Sequence, residues 1–131
     1  MKTVLIVDDE FDIADALAAI FEVEGYAVRV CSNGLDAMKE IARSLPDLLL
    51  LDVMMPVMDG LEVLSRLRSD DRTSDLPVIV MSAVKPKQAS AGAPWQLFLQ
   101  KPFNITALLV AVQGLIGSPV GAEHAEMAGG T

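Results

Sequence analysis

Leu48-Leu49-Leu50-Leu51-Asp52 is the stretch that decides the fold. A short, continuous apolar run without polar alternation reads as a strand buried on both faces, and this one stops at a carboxylate. The pattern recurs along the chain. Val4-Leu5-Ile6-Val7 stops at Asp8-Asp9-Glu10, Pro77 to Met81 stops at Ser82, and Gln96 to Gln100 stops at Lys101. Ala27 to Cys31 supplies a further strand. Between the strands the periodicity turns helical: Ile13, Leu17, Ile20 and Phe21 before a stop at Gly25, then Ala37, Met38 and Ile41 behind a cap at Asn33. Leu61, Leu64 and Leu67 follow a loop marked by Met55-Pro56 and Asp59-Gly60. Ile105, Leu108, Leu109, Val112 and Ile116 follow a cap at Asn104. Strand–helix alternation with apolar strands predicts a doubly wound α/β fold, a five-stranded parallel sheet covered on both faces by right-handed crossovers.

Composition narrows the function. The 131 residues suit one domain, and 52% hydrophobic content is enough for a core. A net charge of −8 with no basic run argues against nucleic acid as a direct partner. The single cysteine, Cys31, allows no disulfide within the chain and fits a reducing, cytoplasmic location. The N-terminal apolar run is too short for a secretory signal, and the Ile105–Ile116 segment is too short for a membrane span. Residues 1–117 are expected to form the domain. Residues 118–131, small and polar with Gly121, Gly129 and Gly130, are expected to form a flexible tail.

Ligands of open α/β sheets bind beyond the carboxyl ends of the strands. Those ends carry Asp8, Asp9, Asp52, Ser82 and Lys101. Three carboxylates at close quarters need a cation, and hard oxygens select Mg²⁺ or a similar ion. A carboxylate is also a nucleophile towards phosphorus. A metal and an ammonium would hold it ionised and neutralise the transferred group, and a hydroxyl would donate to that group. Taken singly, each residue has a plainer reading: Asp8-Asp9 a solvated loop, Asp52 a turn residue, Ser82 a surface hydroxyl, Phe98 core. Asp59 and Gly60 read as an acidic turn with a permissive glycine, Glu10 as a solvated neighbour, Cys31 as a small buried residue and His124 as functionally silent. It is the convergence on one edge that favours a site.

Four motifs, in order and each at a strand end, resemble the receiver domain of two-component response regulators: Val7-Asp8-Asp9-Glu10, Leu51 to Gly60, Met81-Ser82-Ala83 and Lys101-Pro102-Phe103. The resemblance covers residues 2 to about 117. It implies strand order 2-1-3-4-5. It implies Asp52 as phosphoacceptor, Asp9 as direct metal ligand, Asp8 as an acid acting through water, and the Met54 backbone carbonyl as the third protein ligand to Mg²⁺. It implies Ser82 as the switch hydroxyl, Lys101 as the site amine, a cis Lys101–Pro102 bond, and Phe98 as the switch aromatic. The protein would be a signalling switch rather than an enzyme on external substrates. It would take a phosphoryl group from a histidine kinase or phosphotransfer protein and present an altered face to a protein target. Met54 and Val84, in the rate-tuning positions, are apolar and cannot orient water, which implies slow self-dephosphorylation.

Two features depart from the family pattern. Lys101 follows Ser82 by only 19 positions, and Pro86 and Pro94 bracket a short stretch, so the fourth helix is expected to be shortened or disordered. No charge occurs between Lys101 and Glu123, which leaves Ala107, Val110, Ala111 and Gly114 as an apolar outer face on the last helix. Two readings of that face stay open: an interaction surface around Trp95, Phe98 and Val110 that includes a homodimer, or cover by a tail carrying Val120 and Met127. Since no output domain follows Ile116, direct transcription control is not expected. Competing functions are a receiver cut from a hybrid kinase or larger regulator, a docking-only pseudo-receiver, and a Mg²⁺ phosphohydrolase for small molecules. The last needs a substrate cap that the chain has no spare residues to build.

Overall fold

The computed structural model describes residues 1–84 and 94–119. The elements follow one another as β1 (Thr3–Val7), α1 (Phe11–Glu24), β2 (Ala27–Cys31), α2 (Gly34–Arg43), β3 (Leu48–Asp52), α3 (Gly60–Arg68), β4 (Val78–Ser82), β5 (Leu97–Gln100) and α4 (Ile105–Ile116). The five strands form one sheet, parallel at every pairing as the alternation predicts and in the order β2-β1-β3-β4-β5 that the family resemblance implies. The stretch expected to hold a shortened fourth helix, 87–93, lies outside the described residues, so α4 here is the last helix.

Each strand residue chooses a layer by parity. Leu5, Val7, Leu49, Leu51, Val78 and Val80 pack with Ala37 and Ile41 of α2 and Val63, Leu64 and Leu67 of α3. Val4, Ile6, Leu48, Leu50, Ile79 and Met81 pack with Leu17 and Phe21 of α1 and Leu108 and Val112 of α4. Burial on both faces is why these strands read as unbroken apolar runs.

The helix ends use the residues expected of them. Asn33, Asp59 and Asn104 each accept from the backbone N–H three residues on, at 2.8, 3.0 and 3.0 Å. Gly25 ends α1 at φ 104°, where a Cβ would be strained, and Tyr26 N–H closes the turn on the Phe21 carbonyl at 3.0 Å.

Several expectations need adjusting. Gly60 has no positive φ. It is glycine because a Cβ there would lie 2.4 Å from the Asp52 carbonyl oxygen. Cys31 is half-buried rather than buried. Ile105 is exposed, so α4 meets the core through Leu108 and Val112. Pro119, placed in the tail by composition, is tied to the body: its carbonyl accepts from Lys2 N–H at 2.7 Å, close to where Tyr26 Oη donates to the Gly117 carbonyl at 3.2 Å. The rest of the expected tail, Val120 and Met127 included, lies outside the described residues. Among the described residues no helix is long and apolar enough to cross a membrane.

Candidate phosphoryl-acceptor site

Parallel register brings the site together. Val7 pairs with Leu51, Asp52 with Met81, and Ser82 with Gln100. The next backbone bonds, Asp8 N–H to the Cys31 carbonyl (3.1 Å) and Lys101 N–H to the Ser82 carbonyl (2.8 Å), carry the ladder one residue past the strands. Asp8, Asp52, Ser82 and Lys101 therefore arrive at one sheet edge because their strands end together. Asp8, Asp52 and Ser82 are all buried.

Lys101 organises the charges. Its Nζ donates to Asp8 Oδ2 at 3.0 Å, lies 3.5 Å from Glu10 Oε1, and stands 3.7 Å from Asp52 Oδ1. Asp8 Oδ1 also accepts from Glu10 N–H at 2.9 Å, and Asp52 Oδ1 accepts a long bond, 3.4 Å, from Met54 N–H. Ser82 Oγ accepts from Val84 N–H at 3.2 Å. The Asp52 carboxyl is pushed up to about 6, first by burial and then by the Asp8 charge; Lys101 and the Met54 N–H oppose this without cancelling it. For Lys101, burial works to lower the pKa, but the Asp8 hydrogen bond and the charges of Asp52, Asp8 and Glu10 outweigh it and raise the value.

Carboxylate oxygens of Asp8, Glu10 and Asp52 lie within 4.8 Å of one another. Lys101 is the one cation whose ion pairs reach this group among the described residues. Hard oxygens in excess of positive charge, with Asp52 held above the ordinary carboxylate range, form a donor set compatible with Mg²⁺. Asp9, the residue the sequence favours as direct ligand, is exposed and is not brought into this group, whereas Glu10, read from sequence as a solvated neighbour, is. Glu10 is nonetheless exposed, as expected of a solvated neighbour, and meets the group through Lys101.

Around the charged centre the surface is apolar. Met54 and Val84 are both exposed. A cavity of about 600 Å³ adjoins the site between α1 and the start of α4, with Ile13, Leu17, Ile20 and Phe103 beside Glu10 and Lys101. The Lys101–Pro102 bond is cis. Phe98 is half-buried against the α2–α3 layer, its ring centroid 6.2 Å from that of Trp95. Val110 is 65% exposed on α4, whose buried residues Leu108 and Val112 pack in the layer on the other sheet face from Phe98.

Comparison with known proteins agrees with this geometry. The response regulator receiver domain family matches residues 4–113. The DNA-binding dual master transcriptional regulator RpaA of Synechocystis is 33% identical, over 97% of this chain and 56% of its own length. Response regulator MprA of Mycobacterium leprae is 38% identical over 86% of this chain and 50% of its own. The chain thus spans about half the length of the curated relatives it matches. Among solved structures, the response regulator TrrA of Thermotoga maritima, in complex with Mg²⁺ and beryllium fluoride, superposes with a TM-score of 0.79 at 31% identity, covering 88% of this chain and 99% of that one.

Proposed function

We propose, for a chain that belongs to the response regulator receiver family, that Asp52 is the residue phosphorylated. Receiver domains of this family are phosphorylation-activated signalling switches. The observation that carries the assignment is the arrangement of Lys101, 3.0 Å from Asp8 and 3.7 Å from Asp52, on the buried edge where β1, β3 and β4 end. Asp52 Oδ1 would attack the phosphorus of a phosphohistidine donor. An O–P bond forms as the N–P bond breaks, its electron pair returns to the ring nitrogen, and the imidazole, already protonated on its other nitrogen in the donor, leaves neutral. Lys101 would supply a positive charge to the transferred group, and Ser82 Oγ a hydrogen bond once it leaves Val84 N–H.

Asp8, Asp9, Asp52 and the Met54 carbonyl are the groups assigned to hold Mg²⁺, and carboxylate oxygens of Asp8 and Asp52 lie together with one of Glu10. When bound, that ion would neutralise charge on the phosphoryl oxygens and keep Asp52 ionised at neutral pH. The chain promotes only its own phosphorylation and dephosphorylation. Apolar Met54 and Val84, which offer water no hydrogen bond, support a long-lived phosphate. Phe98 is assigned as the switch aromatic.

Partners follow from the surfaces. The apolar cavity beside Glu10 and Lys101 suits the helix of a kinase or phosphotransfer protein carrying the donor histidine. A protein output target, or a second copy, is assigned to the face carrying Phe98 and Val110. The domain is placed in the cytoplasm.

Incubation with a small phosphoryl donor and Mg²⁺ tests the assignment. One added phosphoryl mass, removed by hydroxylamine and absent in Asp52→Asn, is the expected result. Mg²⁺-dependent labelling retained in Asp52→Asn refutes it.

A further inference from the structure

The site lies at one end of β5, and at the other end a side chain that no motif marks gathers the segment entering the strand. Arg68, in the last turn of α3, sends its guanidinium to two separate chain segments. Nε donates to the Pro94 carbonyl at 2.8 Å, and Nη2 to Gln96 Oε1 at 3.3 Å. Nη1 donates to the Thr73 and Ser74 carbonyls at 3.2 and 3.1 Å. No carboxylate within ion-pair distance of Arg68 is found among the described residues. The planar fork is therefore used to gather neutral carbonyls rather than to pair a charge.

The consequences run along β5. Gln96 Oε1 also accepts from Val78 N–H at 2.6 Å, and Gln96 N–H donates to the Val78 carbonyl at 2.9 Å. Arg68, Gln96 and Val78 thus fix the register in which β5 begins against β4. Two residues on stands Phe98, and between Pro94 and Gln96, the two Arg68 acceptors just before β5, stands Trp95, its ring tilted 46° to that of Phe98. β5 is a four-residue edge strand, paired only with β4 in the sheet. Edge strands this short contribute little pairing of their own.

We infer that Arg68 is a positioning residue for the switch: it fastens the start of β5 and holds the Trp95–Phe98 pair in its resting arrangement. Changes at Asp52 and Ser82 then reach the aromatic pair through a strand anchored at its far end. This rests on the assignment of Phe98 as switch aromatic and adds to it the group that sets the resting state.

Trp95 is the chain's only tryptophan, so its fluorescence reads the pair directly. The full chain is compared with Arg68→Gln and Arg68→Lys, well below their melting temperatures, for acrylamide quenching before and after Mg²⁺ with beryllium fluoride. Resting Trp95 should be quenched about twofold more readily in both variants, because a locally opened segment admits the quencher. The change induced by the phosphoryl mimic should shrink, while Mg²⁺ affinity stays as in the parent. Phe21→Leu, which loosens the core on the opposite face of the sheet from Trp95 and Phe98, should lower stability without moving the quenching. Arg68 variants whose resting quenching and induced change both match the parent overturn the proposal. So does a parent whose Trp95 is unmoved although the mimic binds, as followed by fluorine resonance. A parent that fails to bind the mimic refutes the Asp52 assignment instead, and the resting quenching still decides whether Arg68 anchors the pair.

Discussion

Lys101 Nζ sits 3.0 Å from the fully buried side chain of Asp8 and 3.7 Å from Asp52, so Asp8 holds the amine that would meet a phosphoryl group on Asp52. Losing the amine leaves clustered carboxylates opposed by no cation among the described residues. Lys101→Met should therefore cost about 3 kcal/mol of stability in chelator, as expected when one partner of a buried pair is removed. It should also bind Mg²⁺ on the order of tenfold more tightly, since an ammonium no longer competes for Asp8. Urea titration with and without Mg²⁺ measures both, and equal Mg²⁺ affinity would show that Lys101 does not compete for the acids.

Asp52 gives a pH dependence with a definite sign. Its folded value, about 6, is above the ordinary carboxylate value of 3.8, so the fold favours the protonated form. The contribution is fully present below pH 3.8 and is lost as pH rises to about 6 and beyond. The loss is at most about 3 kcal/mol, from about two pKa units. Asp52→Asn removes it. In chelator the variant should gain on the parent between pH 4 and pH 7, and Mg²⁺ should close the gap at pH 7. A difference in unfolding free energy that stays flat over that range would contradict the shift.

Most of this was legible because strands buried on both faces are written as apolar runs, and the residue ending each run lies at the sheet's carboxyl edge. Asn33 and Asn104 announced helix starts through side chains that act locally. What sequence reading missed acts at a distance or through backbone. Arg68 reaches carbonyls 5, 6 and 26 positions away, and carbonyls carry no residue signature. Gly60 was read as conformational freedom, whereas its reason is the Asp52 carbonyl against it. Glu10 and Asp9 are adjacent, and only the path of the chain into α1 decides which one joins the acid group.

The loop leaving the site carries strain that substitution should relieve. Val57 has φ 70°, and Met58 N–H bonds the Pro56 carbonyl at 2.8 Å, a tight turn of the rare positive-φ kind. A β-branched residue in that conformation costs roughly 1–2 kcal/mol. Its side chain is 81% exposed and returns little by packing. Val57→Gly should therefore be neutral to stabilising, by up to about 1 kcal/mol after the entropy of glycine is counted. Denaturant midpoints check this; clear destabilisation would mean the valine side chain holds the turn.

Close approach at Gly60 predicts the opposite. A Cβ would lie 2.4 Å from the Asp52 carbonyl oxygen and 2.9 Å from Val53 Cα. Both are backbone and cannot swing aside. Gly60→Ala should cost about 2–3 kcal/mol. Because the obstruction falls on Asp52 itself, phosphorylation should slow even at temperatures where the variant is folded. A folded variant phosphorylated at the parent's rate would show that the backbone yields without moving the acceptor.

Asp59 separates a structural acid from the functional ones nearby. It lies in the same loop as Met54, and its charge alone would make it a candidate ligand. Its Oδ1 instead accepts from Glu62 N–H at 3.0 Å and starts α3, and it takes no part in the Asp8–Glu10–Asp52 group. A cap is replaceable by another short acceptor, but a ligand needs its charge. Asp59→Asn should therefore cost only tenths of a kcal/mol and Asp59→Ala about 1 kcal/mol. Both should keep Mg²⁺ affinity within about twofold, as for independent sites. Calorimetric Mg²⁺ titration alongside thermal unfolding checks the two columns together, and a Mg²⁺ affinity lost in both variants would move Asp59 from the helix into the metal site.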